Sequence, residues 1–331
     1  MADCYVLFLQ EDGAGSRRSY GASAVKREYR YAEVEYVRTK LHVEMDGVRY
    51  AGLAVLVLGC LALPFSQPCH WPEMGWAGES DRIIEQMRAP WIVAHRGASG
   101  HAPENTMAAY ERAVALGAQF IETDLHLTRD ARFVAIHDKT LERTTNGKGP
   151  VRDFTLAELR ELDAGMWFDR AFMGQRIPTL EEILEFGRKH DVVFYLEIKY
   201  DESWGMHHAL VAALGGAGNA ARTIVLSFDP TTLTSIRQLD ASIMLGLLVE
   251  GENRDYVKSA LDVGARQLCP RADLVTKELV DQAHRSDLHV VTWTVNEAAK
   301  MNSVIHAGVD GIMTNLPDRL RATIEDKEPK A

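Results

Sequence analysis

Trp91-Ile-Val-Ala94 is the first of eight short apolar runs, many of them β-branched, that recur through the second part of the chain. The others are Gln119-Phe-Ile-Glu122, Val192-Val-Phe-Tyr-Leu196, Thr223-Ile-Val-Leu226, Met244-Leu-Gly-Leu-Leu-Val249, Gln267-Leu-Cys269, His289-Val-Val-Thr-Trp-Thr-Val295 and Gly311-Ile-Met-Thr314. Amphipathic stretches between them predict helices, among them Met107 to Leu116, with Pro103 in its first turn, and Leu274 to Ala283. This alternation predicts an α/β fold, a parallel TIM (β/α)8 barrel, and periodicity leaves a doubly wound open sheet as the alternative.

One segment interrupts the alternation after the second run. Asp124 to His137 has no room for a helix and predicts a β-hairpin that turns at Arg129 to Arg132, which places Asp124 roughly opposite His137. A small insertion, Lys139 to Thr179, follows, with a short helix expected over Leu156 to Leu162. Long loops at the carboxyl ends of barrel strands usually cover or shape an active site, so we expect this insertion to do so.

Two segments precede the predicted barrel. Residues 1–44 are basic and polar with little apolar periodicity, and we expect them to be disordered or to precede the true start codon. Residues 45–89 contain the uncharged apolar run Ala51 to Phe65 and then a linker. The barrel domain is expected over residues 90–324, with a tail over 325–331.

The apolar run Ala51 to Phe65 predicts targeting or anchoring. Its 15 residues fall short of the roughly 20 needed to span a bilayer. They fit the apolar core of a signal peptide, which is about 7–15 residues long. If the run acts as a signal or anchor, the protein is exported or associates with the membrane through residues 51–65; otherwise it is cytoplasmic. A helix buried against the barrel is the alternative.

Composition excludes several classes of function. The formal net charge of −10 argues against a nucleic-acid partner, because binding to a phosphate backbone depends on clustered Lys and Arg side chains. A small phosphodiester substrate needs only a few local cations. Of the four cysteines only Cys269 lies in the predicted barrel, and no Cys-x-x-Cys pair occurs. Neither a zinc site nor a disulfide framework is therefore indicated, and we expect Cys269 to be a buried apolar residue.

Polar side chains stand at the carboxyl ends of the predicted strands, where β/α barrels hold their active sites. These positions are His95, Arg96, Glu122, Asp124, His137, Glu197, Lys199, Thr292, Trp293 and Asn296. Three carboxylates at one barrel mouth would repel each other, so Glu122, Asp124 and Glu197 predict one divalent cation, Mg²⁺ or Ca²⁺. Arg96 and Lys199 are then expected to bind phosphate oxygens. His95 and His137 are expected to supply a base and an acid near neutral pH.

Longer motifs surround these positions. They include His95-Arg-Gly-Ala-Ser-Gly-His-Ala-Pro-Glu-Asn-Thr106, Glu122-Thr-Asp-Leu-His-Leu-Thr-Arg-Asp130, Val134-Ala-Ile-His-Asp-Lys-Thr-Leu-Glu-Arg-Thr-Thr-Asn-Gly147, Leu196-Glu-Ile-Lys199, Trp293-Thr-Val-Asn296 and Asp310-Gly-Ile-Met-Thr314. Together they resemble the glycerophosphodiester phosphodiesterase family, and the resemblance covers Trp91 to Leu320. It implies metal-dependent hydrolysis of glycerophosphodiesters to glycerol 3-phosphate and an alcohol. The alternatives are a lysophospholipase D-type phosphodiesterase and a non-catalytic binding barrel, which the intact histidine pair and carboxylates disfavour.

The resemblance also implies roles for individual residues. His95 and His137 become the general acid/base pair, and the three carboxylates become the metal ligands. Trp293 becomes a wall of the glycerol pocket. Ala131 stands where the family usually has glycine, and Asn315 stands where an aspartate often follows the last strand. Neither position is expected to touch the chemistry.

Overall fold

The computed structural model describes residues 90–199, 206–215, 219–251 and 255–326, together with Ile84 and four strands nearer the amino terminus. The chain divides into two units, Met1–Pro72 and Glu73–Ala331. In the first unit β1 (Leu9–Glu11) pairs with β2 (Arg17–Ser19), and β3 (Thr39–Met45) pairs with β4 (Val48–Ala54), both antiparallel.

Strand β4 takes in the start of the apolar run Ala51 to Phe65, and residues 55–65 lie outside the described residues. Most of residues 1–44 and of the linker also lie outside them. The expectations for residues 1–44 and 45–89 therefore stay predictions. None of the helices in the described part of the chain has the length and apolar composition needed to cross a bilayer.

A closed barrel of parallel strands forms the second unit. Its strands, with the hairpin strand β7, are β5 (Trp91–Ala94), β6 (Phe120–Leu127), β7 (Phe133–Ala135), β8 (Val193–Ile198), β9 (Thr223–Ser227), β10 (Met244–Val249), β11 (Gln267–Pro270), β12 (His289–Thr292) and β13 (Gly311–Thr314). Parallel pairings run from β6 through β8 to β13, and β5 pairs with both β13 and β6, which closes the ring. The TIM barrel prediction is confirmed, and the open sheet is excluded.

Helices surround this barrel. They are α1 (Met107–Ala115), α2 (Leu156–Leu159), α3 (Leu180–His190), α4 (Met206–Gly215), α5 (Pro230–Leu239), α6 (Tyr256–Asp262), α7 (Lys277–His284), α8 (Ala298–Ala307) and α9 (Pro317–Glu325). Helix α1 begins after Thr106, whose side chain accepts a hydrogen bond from Ala109 N, so Pro103 lies outside its first turn, contrary to the prediction. Helix α7 also begins later than predicted, because Thr276 caps it and residues Ala272–Leu274 form a separate 3₁₀ turn.

The predicted hairpin is present. Strand β6 continues beyond the barrel and pairs antiparallel with β7, so that Leu125 faces Ala135. Ile136 N donates to Asp124 O at 3.1 Å, which puts Asp124 opposite Ile136 and one residue away from His137. At the turn Ala131 adopts a left-handed backbone with φ of 57°.

The insertion has a hydrophobic core of its own, which we call the insertion core. Its buried members are Val134, Ile136, Leu141, Val151, Leu159, Ala164 and Ile177. A separate cluster fills the inside of the barrel, with Trp91, Phe120 and Tyr195 among its members. Because side chains alternate along a strand, Glu122 and Glu197 follow Phe120 and Tyr195 on the inner face. The site therefore lies above a filled barrel interior, at the carboxyl ends of the strands.

Candidate active site

Three carboxylates meet at the mouth of the barrel. Glu122 and Asp124 extend from β6, and Glu197 extends from β8, whose register places Glu197 beside Asp124. One oxygen from each carboxylate lies within 4.8 Å of the others, and all three residues are buried. The structure thus brings together the three residues that the sequence predicts as metal ligands.

The charges at this site are unevenly compensated. Burial and the neighbouring Asp124 raise the pKa of both Glu122 and Glu197 above its usual value. Although burial opposes it, the Lys199 ammonium and the Arg96 guanidinium hold the pKa of Asp124 below its usual value. Within the described part of the chain, Glu122 Oε1 has no hydrogen-bond partner. A buried all-oxygen set with too little positive charge fits a hard divalent cation.

Lys199 and Arg96 are the cations that the chain itself supplies. Lys199 Nζ lies 2.8 Å from Asp124 Oδ1 and 2.6 Å from Glu197 Oε1. Arg96 Nε lies 3.3 Å from Asp124 Oδ2. The backbone of Arg96 is left-handed, with φ of 56°. Its amide donates to Glu122 Oε2 at 2.8 Å, so the turn after β5 aims both the amide and the guanidinium at the carboxylates.

The two predicted histidines flank the carboxylates and have different partners. His95 Nδ1 lies 2.7 Å from Asn315 Oδ1, and His95 Nε2 lies 3.9 Å from Glu122 Oε2. Burial and the nearby Arg96 lower the pKa of His95 to about 4. His137 Nδ1 lies 2.7 Å from the carboxylate oxygen Asp138 Oδ1. His95, His137, Arg96 and Lys199 all line one cavity of about 290 Å³.

Asn315 was not expected to touch the chemistry, but it contacts His95, a predicted member of the acid/base pair. Strand β13 pairs with β5 so that Thr314 lies beside Ala94. The residues that follow these two, Asn315 and His95, are therefore neighbours across the closure of the barrel. The signal was present in the sequence, because any closed barrel pairs its first strand with its last.

Asn105 is a residue to which sequence reasoning gave no role. Its Nδ2 donates to Asp124 Oδ2 at 2.8 Å, and its Oδ1 accepts from Thr123 Oγ1 at 2.8 Å. Like Arg96 it has a left-handed backbone, with φ of 54°. Asn105 thus holds one predicted metal ligand in place from a loop that precedes α1.

Further polar contacts surround Arg96 and His137. Glu104 Oε1 accepts from Arg96 Nη1 at 2.8 Å, so Glu104 is a partner of Arg96. Arg143 bridges Glu104 and Asp138. His126 Nε2 donates to the backbone oxygen of His137 at 3.1 Å, which fixes the chain at that residue.

The cavity also has an apolar wall. It includes Leu226, Phe228, Leu248, Trp293 and Met313. The rings of Phe228 and Trp293 meet edge to face with centroids 5.3 Å apart, and Trp293 Nε1 donates to Cys269 O at 2.7 Å. Trp293 therefore lines the cavity in a fixed orientation, and Cys269 is fully buried, as the sequence predicts.

The sequence model of the glycerophosphoryl diester phosphodiesterase family matches residues 95–319. The chain belongs to this family. A glycerophosphodiester phosphodiesterase of Caldanaerobacter subterraneus subsp. tengcongensis is 39% identical over 231 residues, which are 69% of this chain and 95% of that protein. A Bacillus subtilis glycerophosphodiester phosphodiesterase is 34% identical over 289 residues, which are 82% of this chain and 96% of that protein.

Solved structures of glycerophosphodiester phosphodiesterases and related enzymes share the fold. An Oleispira antarctica phosphodiesterase in complex with the product sn-glycerol-3-phosphate is 28% identical with a TM-score of 0.66, over 71% of this chain and 97% of that chain. A glycerophosphodiester phosphodiesterase of Agrobacterium tumefaciens is 28% identical with a TM-score of 0.63, over 70% of this chain and 99% of that chain. The family match takes in every predicted site residue, from His95 to Trp293.

Proposed function

We propose that the chain hydrolyses glycerophosphodiesters to glycerol 3-phosphate and an alcohol, using one divalent cation, Mg²⁺ or Ca²⁺. Family membership supports the reaction class, and the product bound to the Oleispira antarctica relative supports the substrate class. One observation carries the proposal. A single cavity is lined by two of the proposed metal-ligand carboxylates, Glu122 and Glu197, and by two cationic side chains and two histidines. These are groups that phosphodiester hydrolysis uses.

The charged residues of the site would bind the phosphate through the cation and through two cationic side chains. Glu122, Asp124 and Glu197 would hold the cation, which when bound supplies positive charge against the charge that develops on the phosphoryl oxygens. Arg96 and Lys199 line the same cavity and bind the remaining oxygens. The apolar wall at Trp293 lies against the glycerol.

The two histidines divide the proton transfers. His95 donates its Nδ1 proton to the Asn315 amide oxygen, which leaves Nε2 as the acceptor. His95 therefore removes a proton from the nucleophile, either water or the substrate's own 2-hydroxyl, and the second route passes through a cyclic phosphate. Asp138 holds His137 at Nδ1, and His137 lines the cavity. His137 therefore gives a proton from Nε2 to the leaving alkoxide.

Substitution of each histidine tests this assignment. His95→Ala and His137→Ala should each lower kcat by about 10²–10⁴-fold, and the losses should combine less than additively. A nitrophenolate leaving group needs no protonation, so it should rescue His137→Ala and leave His95→Ala impaired. His101→Ala is the matched control, because His101 belongs to the same motif but pairs with Asp318 at 2.8 Å. Near-normal kcat in both active-site variants would refute the assignment.

Chelation tests the metal separately. Excess chelator should abolish hydrolysis, and added Mg²⁺ or Ca²⁺ should restore it. Glu122→Gln should weaken binding of that cation, measured by calorimetry, because it removes one anionic ligand. Full activity of the wild-type chain in excess chelator would exclude metal dependence.

Lysophospholipids are a second candidate substrate. The apolar wall and the 40% exposure of Phe228 favour them. A panel that compares glycerophosphocholine with lysophosphatidylcholine separates the two. Faster turnover of the lysophospholipid, lost in Phe228→Ala, would assign the lysophospholipase D-type reaction.

We also propose that residues 51–65 direct export or membrane association. A fusion that begins at Met45 should then reach the membrane or the extracytoplasmic space. Recovery of the fusion only from the cytosol would count against this localisation.

A further inference from the structure

The guanidinium group of Arg143 forms paired hydrogen bonds, or two-point contacts, with each of two carboxylates. Its Nε and Nη2 lie 2.7 Å and 3.0 Å from Asp138 Oδ2 and Oδ1. Its Nη1 and Nη2 lie 2.9 Å and 2.7 Å from Glu104 Oε2 and Oε1. Paired hydrogen bonds of this kind fix orientation as well as charge, which a lysine ammonium cannot reproduce.

Each of these carboxylates holds a residue of the active site. Asp138 Oδ1 lies 2.7 Å from His137 Nδ1. Glu104 Oε1 lies 2.8 Å from Arg96 Nη1. An unbroken chain of contacts therefore joins His137 to Arg96 through Arg143. His137 and Arg96 line the cavity, whereas Arg143 is absent from its lining.

The insertion core fixes Arg143 and His137 on one support. Leu141 is fully buried in that core, and its carbonyl accepts from Thr145 N at 3.1 Å and Thr145 Oγ1 at 2.7 Å. This closes the turn that carries Arg143. Ile136, the neighbour of His137, is buried in the same core. The hydrogen bonds from Arg143 also lower the pKa of Asp138 to about 2, which keeps it a carboxylate at neutral pH.

We infer that Arg143 is a positioning residue, which sets His137, through Asp138, against the phosphate-binding Arg96, through Glu104. The inference rests on the proposed function for its kinetic consequences only. If the insertion only covered the site, Arg143 would have a structural role and would not affect the alignment of His137. Its side chain is 42% exposed, and exposed ion pairs contribute little to stability, so a purely structural Arg143 would leave kcat unchanged.

Kinetics of Arg143→Gln, Arg143→Lys and a control variant test the inference. Arg143→Gln should lower kcat by about 10–100-fold, because a misaligned acid slows the step. It should change KM by less than about 3-fold, because Arg96 keeps its own 2.8 Å contact with Glu104. The kcat of Arg143→Lys should lie between those of the wild-type chain and of Arg143→Gln, since an ammonium cannot hold both carboxylates in two-point contacts. Arg152→Gln removes the same charge from an exposed position of the insertion and should match the wild-type chain. Wild-type kcat in Arg143→Gln, or equal losses in Arg152→Gln, would overturn the inference.

A double-variant cycle separates positioning from stability. Once His137 is removed, Arg143 has no acid to position, so Arg143→Gln in a His137→Ala background should change kcat by less than about 3-fold. A full multiplicative loss in that background would contradict the assignment.

A readout without substrate separates this inference from the proposed function. The His137 Nδ1 proton, assigned by its loss in His137→Ala, should give a hydrogen-bonded NMR signal that shifts or disappears in Arg143→Gln. The same signal should persist in Arg152→Gln. An unchanged signal in folded Arg143→Gln would refute the inference even if the chain hydrolyses no glycerophosphodiester, and an inactive wild-type chain would refute only the proposed function.

Discussion

Replacement of Asn105 tests how the loop before α1 supports the site. Asn105 is 3% exposed, and its amide donates to Asp124 Oδ2 at 2.8 Å. Its Oδ1 accepts from Thr123 Oγ1 at 2.8 Å, and Thr123 keeps a second contact with Tyr110 at 2.7 Å. Asn105→Ala therefore removes the hydrogen bond to a buried charge and the 3.3 Å bond from Asp124 N to Asn105 Oδ1. Thr123 loses its bond to Asn105 but keeps its contact with Tyr110.

The size of the loss follows from two contributions. A hydrogen bond to a charged group contributes about 1.5–3 kcal/mol to the free energy of unfolding. The φ of 54° at Asn105 suits asparagine but costs alanine roughly 1–2 kcal/mol. Asn105→Ala should then destabilise the chain by about 2.5–5 kcal/mol. Asn105→Gly loses the same hydrogen bonds but has no penalty at this φ. Glycine also gains more entropy on unfolding, so Asn105→Gly should be more stable than Asn105→Ala by only about 1 kcal/mol.

Urea denaturation of the chelated protein measures both values, and titration with Mg²⁺ or Ca²⁺ measures the consequence for the site. Because Asn105 orients Asp124, both variants should lose about 10–100-fold in metal affinity. The reasoning is wrong if Asn105→Gly is as unstable as Asn105→Ala, or if either variant keeps wild-type stability. A loss of stability with unaltered metal affinity would show that Asn105 supports the loop and not the ligand.

Three further predictions concern the hairpin turn at Ala131, the two buried glutamates and Asn315. Ala131→Gly should raise the unfolding free energy by about 1 kcal/mol and Tm by about 2–4 °C, because Ala131 has φ of 57°, and a lower Tm would contradict this. The raised pKa of Glu122 and Glu197 means that the folded chain binds protons more tightly than the unfolded chain, so stability of the chelated protein should fall as pH rises from about 5 to 8. Saturating Mg²⁺ or Ca²⁺ should remove that fall, and a trend of the opposite sign in chelator would exclude it. Asn315→Asp should raise the lowered pKa of His95 by placing a carboxylate at Nδ1, so the acid limb of the kcat/KM profile should move to higher pH by about one unit; an unmoved limb would exclude His95 as the base.

Strand alternation accounts for the part of the site that the sequence predicts well. Glu122 and Asp124 share a face because they are two residues apart on one strand, and the parallel register sets Glu197 beside them. The hairpin was predictable for a similar reason, since the segment is too short for a helix. These features depend on local spacing, which a single sequence displays.

Contacts between distant loops account for the part that was missed. Asn105 reaches Asp124 through a left-handed turn that no periodicity marks. Arg143 meets Glu104 only because the insertion folds back on its own core. The start of α1 was misplaced because Thr106, and not the sequence position of Pro103, supplies the cap. Each of these depends on backbone geometry or on packing between segments, which composition and spacing do not determine.

The closure of the barrel has a consequence for the order in which the site is made during synthesis. His95 and its partner Asn315 are separated by 220 positions in the chain and meet only when β13 pairs with β5. A nascent chain that has already folded the hairpin and insertion holds His137 with its Asp138 partner, but its His95 still lacks an amide to orient it. Ribosome-bound chains stopped before Gly311 should therefore lack catalytic activity even when their earlier helices have formed. Pairing of the last barrel strand is therefore the step that brings Asn315 to His95. A truncated product of interrupted translation should be unable to hydrolyse phosphodiesters before the cell removes it.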